Sequence, residues 1–210
     1  MKRLFLSSSF KDVSTLFKDF AQEELKGKRV TFIPTASLPE KVIFYVNSGK
    51  KALEKLGLIV DELEMTKATN KEIADKLRNN DYIYITGGNT FFLLQELKKS
   101  GADKIIIEQI NLGKIYIGES AGSIVVSPNI EYVKDMDDYK KAIELKDNLS
   151  LNITDFYPLP HYTNFPFQKV VEQIIKKYDS HLKLVPITNS QVILVRGKNV
   201  EIKDISTKSF

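Results

Sequence analysis

Apolar positions from the start of the chain to Ile117 alternate between two patterns. Short, mostly apolar runs occur at Lys2–Leu6, Arg29–Ile33, Leu58–Leu63, Tyr82–Thr86 and Lys114–Ile117. Between them, apolar residues recur at helical spacing. One such segment is Val13–Leu25, carried by Val13, Leu16, Phe17, Phe20, Ala21 and Leu25; others are Glu40–Leu56, Asn70–Leu77 and Thr90–Lys99, with a short further helix to about Ile110. A run apolar at successive positions suits a strand buried on both faces, and a spacing of three to four suits a helix with one buried stripe. Pro34 stops the second run, and Gly57 and Gly101 end helices. Strands and helices taking turns over short loops predict an α/β fold, a three-layer αβα sandwich around a mostly parallel sheet. Sites in such sheets lie beyond the carboxyl ends of the strands. That rule points to Ser7, Pro34, Gly87 and Gly118.

The second half is less regular. Ser127–Ser150 is polar and charged and reads as a long, partly helical excursion over the site. Leu151–Phe156 is strand-like and leads to Pro158, Pro160 and His161. Phe167–Tyr178 is an amphipathic helix. Lys183–Val185, Gln191–Val195 and Val200–Ile202 read as closing strands, the last two a hairpin around Gly197-Lys198-Asn199. With no repeat, linker or low-complexity tract, the reading is one α/β domain over residues 1–210.

Composition narrows the function classes. The 210 residues carry 31 Lys plus Arg against 27 Asp plus Glu, a net charge of +4. The basic residues are scattered, which reads as a solvated surface and argues against nucleic acid as a partner. The absence of cysteine removes disulfides, thiolate catalysis and thiolate metal ligation. The apolar stretch of Met1–Ser9 is too short for a signal peptide, and no run approaches the roughly 18 residues of a membrane span. The expectation is a cytoplasmic protein, without metal or cofactor, that does not engage membranes and is a monomer or small homo-oligomer.

The chemistry concentrates where the fifth run ends, at Gly118-Glu119-Ser120-Ala121-Gly122. A serine on a sharp strand-to-helix turn points its hydroxyl clear of the sheet, and flanking glycines let neighbouring chain approach. The Ala121 N–H, at a helix start, is free to meet an oxyanion. The plainer reading makes Ser120 a helix cap. Serine needs a base, and the chain has two histidines. His161 sits in a loop able to return to the carboxyl edge, whereas His181 follows a helix end and needs no catalytic role. Thr86-Gly87-Gly88-Asn89-Thr90 offers a second oxyanion donor at Gly88 and candidate substrate contacts at Asn89 and Thr90. Alternatively it is a glycine turn with a helix cap.

These motifs together resemble the peptidase E (aspartyl dipeptidase) family of serine peptidases, relatives of cyanophycinase. The likeness runs through Gly87-Gly88-Asn89-Thr90-Phe91, Gly118-Glu119-Ser120-Ala121-Gly122, Lys134-Asp135-Met136 and Pro160-His161-Tyr162-Thr163-Asn164, in the family's order. It implies a flavodoxin-like or glutamine-amidotransferase-like sandwich, Ser120 as nucleophile, His161 as base, an oxyanion hole from Gly88 and Ala121, short peptides as substrates and no metal. Two departures stand out. The only arginines are Arg3, Arg29, Arg78 and Arg196, so no carboxylate clamp follows the histidine. Tyr162, Phe165 and Phe167 there read either as an apolar wall near the histidine or as residues that pack the following helix onto the sheet. Where the family carries an acid to orient the histidine, the chain reads Thr188-Asn189-Ser190. Asn189 and Asp135 thus compete for that role. The alternatives are an esterase of the α/β-hydrolase kind and a binding protein that has lost its triad acid.

Overall fold

A computed structural model of the chain describes residues 1–206. In chain order the elements are β1 (Arg3–Ser7), α1 (Phe10–Val13), α2 (Thr15–Ala21), β2 (Arg29–Ile33), α3 (Phe44–Lys55), β3 (Ile59–Glu62), α4 (Asn70–Asn79), β4 (Tyr82–Ile85), α5 (Thr90–Ser100), α6 (Ala102–Asn111), β5 (Ile115–Glu119), α7 (Ala121–Ile124), β6 (Tyr157–Leu159), α8 (Gln168–Tyr178), β7 (Leu184–Pro186), β8 (Gln191–Arg196) and β9 (Asn199–Asp204). Seven strands form one sheet in the order β3-β2-β4-β5-β1-β8-β9. The first five are mutually parallel, and β8 and β9 close the edge antiparallel.

Successive strand residues face opposite layers, so each strand feeds two cores. Leu4 and Leu6 join the cluster that includes Leu94, Ile106 and Ile174, while Phe5 joins Phe10, Phe17 and Phe20 on the other face. Phe5 meets Phe17 edge-on at 5.4 Å and Phe10 at 5.8 Å. Truncating a buried aromatic of this kind to alanine costs about 3–5 kcal/mol. The result is the expected three-layer αβα sandwich around a mostly parallel sheet.

Four expectations are corrected. The helix expected over Val13–Leu25 is two short helices from Phe10 to Ala21; Gln22 turns left-handed (φ 55°), and Leu25 reaches the core from a loop. The helix expected from Glu40 begins at Phe44, because Leu38, Val42, Ile43 and Phe44 are exposed and give no buried stripe to anchor an earlier start. Leu151–Phe156 is not a strand. Its backbone instead donates to the Val125 and Val126 carbonyls, and Leu151, Ile153 and Phe156 are buried from that loop. The strand expected at Lys183–Val185 is β7, which pairs with β6 in a separate two-stranded sheet and not with the main one.

Strand order positions the site. The carboxyl ends of β2, β4, β5 and β1 are neighbours, so the chain following each of them meets at one edge. Strand β8 runs the other way, with Val192 opposite Ser7. Its incoming residues, Asn189 and Ser190, therefore arrive at that same edge.

Candidate active site

Ser120 follows β5 directly, at φ 50° and ψ −109°. That left-handed conformation is uncommon for a residue with a side chain and costs about 1–3 kcal/mol, so neighbouring structure must hold it. The end of β1 does much of this. The Ser7 carbonyl accepts from Ser120 N–H (2.9 Å) and from the Ser123 hydroxyl (2.8 Å), and the Ser7 hydroxyl donates to the Gly118 carbonyl (3.1 Å). Gly122 is required by space: an added Cβ would lie 2.3 Å from the Ile85 carbonyl oxygen.

The Ser120 hydroxyl lies 2.9 Å from His161 Nε2, and His161 Nδ1 lies 3.0 Å from Asn189 Oδ1. With Asn189 Oδ1 as acceptor, Nδ1 carries the proton and Nε2 is left to accept from Ser120. His161 is itself left-handed, at φ 66°. Its N–H donates to the Ser8 hydroxyl (3.0 Å), which in turn donates to the Ile187 carbonyl (3.1 Å). One dipeptide at the end of β1 thus ties down both partners, Ser7 the serine and Ser8 the histidine. Phe167 stacks on the imidazole at 4.7 Å between centroids. Asn189 is fixed by its own N–H, which donates to Asn164 Oδ1 at 2.8 Å. Burial lowers the His161 pKa below its ordinary value, and the bond to Asn189 opposes that shift. The imidazole is therefore neutral near pH 7, the form able to accept a proton.

The loop after β4 reaches the serine from the other side. A Cβ on Gly87 would meet Ser120 Cβ at 3.2 Å. Gly88 has φ 134°, and a Cβ there would lie 2.2 Å from the Ala36 carbonyl oxygen. Among the described residues, no acceptor meets the N–H of Gly88 or of Ala121.

The remaining expected site residues lie as follows. Asn89 is buried and fully engaged: Oδ1 accepts from Phe92 N–H (2.9 Å), and Nδ2 donates to the Asp138 carbonyl (3.0 Å). Thr90 is also buried, its N–H donating to Asp137 Oδ2 (2.8 Å). The Asn89 side chain is thereby committed to the start of α5, while the Thr90 hydroxyl is buried there without a hydrogen-bond partner among the described residues. Asp135 forms an exposed ion pair with Lys177 at 3.2 Å, and the His161 Nδ1 position is taken by Asn189. The excursion it belongs to runs along α5 and α8, held by Asp137–Thr90, Glu144–Gln95 and Asp135–Lys177. Ser120 remains half-buried. Tyr162 and Phe165 are exposed beside the histidine. His181 is exposed and bonded to the Ser180 hydroxyl. Ser8, Asn164 and Glu119 are the residues that sequence reasoning missed. Asn164 stood at the end of the histidine motif, and Glu119 was an acid inside an otherwise apolar strand end; Ser8 gave no signal.

Among the described residues, no group of three or more His, Cys, Asp or Glu could hold a metal ion, and no helix is long and apolar enough to cross a membrane. The chain is similar to an uncharacterized peptidase of Listeria monocytogenes, 55% identical over 206 residues that cover 98% of this chain and 100% of that one. A solved structure of a candidate peptidase E protein from the same species matches with a TM-score of 0.94 at 55% identity, over 98% of this chain and 99% of that chain. Peptidase E of Nostoc sp. is 30% identical over 169 residues, 78% of this chain and 66% of the relative. The model of peptidase family S51 matches residues 4–203. The chain belongs to peptidase family S51 and is a serine-type peptidase.

Proposed function

We propose that this peptidase cleaves short peptides, dipeptides among them, through an acyl-enzyme on Ser120. The observation that carries the reading is the 2.9 Å contact of a strained, half-exposed serine with a neutral histidine held from behind. In the reaction the Ser120 oxygen attacks the scissile carbonyl carbon, and its proton passes to His161 Nε2. The developing oxyanion is met by the N–H groups of Gly88 and Ala121. His161 then returns the proton to the leaving nitrogen, the C–N bond breaks, and the acyl group stays on Ser120 as an ester. A water attacks that ester with His161 as base, releasing the acid and restoring Ser120.

Asn189 is the third member of this arrangement. A neutral carbonyl fixes the tautomer but stabilises the imidazolium less than a carboxylate does. Asn189→Leu is expected to lower kcat by about 10–100-fold, and Asn189→Asp to keep or raise it. Asp135→Ala is expected to stay within about twofold, as exposed ion pairs contribute little. Turnover of one peptide by the three variants checks this. A neutral Asn189→Leu with a crippled Asp135→Ala would reverse the assignment.

Specificity follows from what surrounds the serine. Arg3 donates to the Ala21 carbonyl, Arg196 packs on Phe20, Arg78 pairs with Glu108, and Arg29 opens β2 at the opposite edge. None reaches the site to hold an aspartate side chain, whereas Tyr162 and Phe165 offer apolar surface. Dipeptides with apolar or neutral first residues should be cleaved within about tenfold of Asp-initiated ones, since a missing bidentate contact removes the discrimination. A dipeptide panel assayed by amine release tests this. Activity on Asp-initiated dipeptides alone, or no hydrolysis at all, contradicts it.

A further inference from the structure

The residue between the elbow's glycine and its serine is a buried acid. Glu119 ends β5, faces Ser7 of β1 in register and is 3% exposed. Its Oε1 accepts the Phe10 N–H at 3.0 Å, and its Oε2 accepts the Tyr84 hydroxyl at 2.7 Å. The Gly87 N–H also acts on this carboxylate. Three segments that build the site therefore converge on one carboxyl group: the β1–α1 turn, β4 with its glycine loop, and the elbow. Tyr84 is itself held, stacked on Phe32 at 5.1 Å and edge-on to Phe10 at 5.2 Å. Helix α3 meets the pair at Gly49, where a Cβ would lie 2.4 Å from the Tyr84 oxygen.

This arrangement is costly for the fold. The ionisable groups that face Glu119 are Tyr84, Tyr45 and Asp12, none of them a cation. Burial outweighs the three donors and pushes its pKa up to about 7. A raised carboxyl favours the protonated fold, so stability is lost as pH rises from the ordinary carboxylate range through about 7. Apolar side chains fill such a space without that cost.

We propose that Glu119 is a positioning residue whose carboxylate holds the strained Ser120 elbow and the Gly87–Gly88 loop in catalytic register. The proposal rests on Ser120 being the nucleophile. Ionised, the group accepts on both oxygens; protonated, one oxygen becomes a donor, and the grip on Phe10 or Tyr84 slackens. Activity therefore falls as pH drops through the Glu119 titration, above the fall that comes from protonating His161.

The experiment compares wild type, Glu119→Gln and Tyr84→Phe. The expected result for Glu119→Gln is a kcat at least tenfold lower with KM within twofold, a melting temperature at pH 8 equal to or above wild type, and loss of the upper acidic limb from the pH–rate profile. Tyr84→Phe removes a donor that lowers the Glu119 pKa, so it should move that limb to higher pH. A purely structural role predicts the opposite split, a lower melting temperature with kcat unchanged, and that result overturns the proposal. An unchanged pH profile in both variants overturns it as well. A readout independent of turnover is the backbone amide NMR signals of Ser120 and Ala121. These should titrate near pH 7 in wild type and not in Glu119→Gln, whatever becomes of the peptidase reading; flat signals in wild type overturn the coupling itself.

Discussion

Replacing Ser120 with alanine is expected to lower peptide turnover by about 10³-fold or more while the fold survives. The loss follows from chemistry: the neighbouring Ser7, Ser8 and Ser123 hydroxyls are buried and donate to backbone carbonyls, and Ser120 is the serine whose hydroxyl meets His161 Nε2, so no neighbour is placed to form the ester intermediate. The fold survives because little else depends on that oxygen. The Ser120 hydroxyl contacts His161, and His161 keeps its anchors on Ser8 and Asn189. The elbow itself is held through backbone and through Ser7 and Ser123, which the substitution does not touch. The check is turnover beside thermal unfolding, with an unchanged melting curve and a collapsed rate expected together.

Gly88→Ala is expected to cost about 10²-fold or more in kcat/KM and to destabilise the fold, although it adds one methyl group and removes nothing. At φ 134° a side chain is strained in any surroundings, by about 1–3 kcal/mol. Here the surroundings are also closed. The new Cβ would sit 2.2 Å from the Ala36 oxygen, 2.3 Å from its carbonyl carbon and 2.6 Å from Ser37 N, all of them backbone atoms that cannot swing aside. The loop must move or turn over. Either change breaks the 2.8 Å bond from Asn89 N–H to the Ala36 carbonyl and redirects the Gly88 N–H, whose loss as an oxyanion donor is worth about 10²–10³-fold. Steady-state kinetics with thermal unfolding measures both effects. A variant within threefold of wild type would show that Gly88 does not serve the oxyanion.

The parallel half of the fold was legible because strands buried on both faces have a distinctive apolar signature. β1, β2, β4 and β5 begin and end within two residues of the runs that announce them. The pattern failed where burial comes from loop packing. Leu151, Ile153 and Phe156 are as apolar as a strand, but their backbone follows Val125 and Val126 instead of a ladder. It also failed ahead of α3, where Val42, Ile43 and Phe44 are apolar yet exposed and anchor no earlier turn. At the site, Ser120 and His161 were visible as motifs. Asn189 was visible only through the resemblance, which implies an acid at that place. Asp135 drew attention through a motif match, yet its charge is spent on Lys177 at the surface. Asn89 and Thr90 have polar side chains in a glycine loop, a description that fits a ligand contact and a helix start equally well. Only the Phe92 and Asp137 bonds separate the two. Ser8 was invisible because its task is to hold backbone from across the sheet, over a separation of 153 residues from His161.

The central claim, an activated nucleophile at Ser120, is tested most directly by covalent capture. The protein is treated at pH 8 with a serine-directed organophosphonate, digested, and the adduct located by mass spectrometry. One adduct is expected, on the peptide carrying Ser120, with none in Ser120→Ala and a rate lowered by about 10²-fold or more in His161→Ala, the order expected when a general base is removed. An unlabelled wild-type protein, or an adduct on any other residue, would contradict the account.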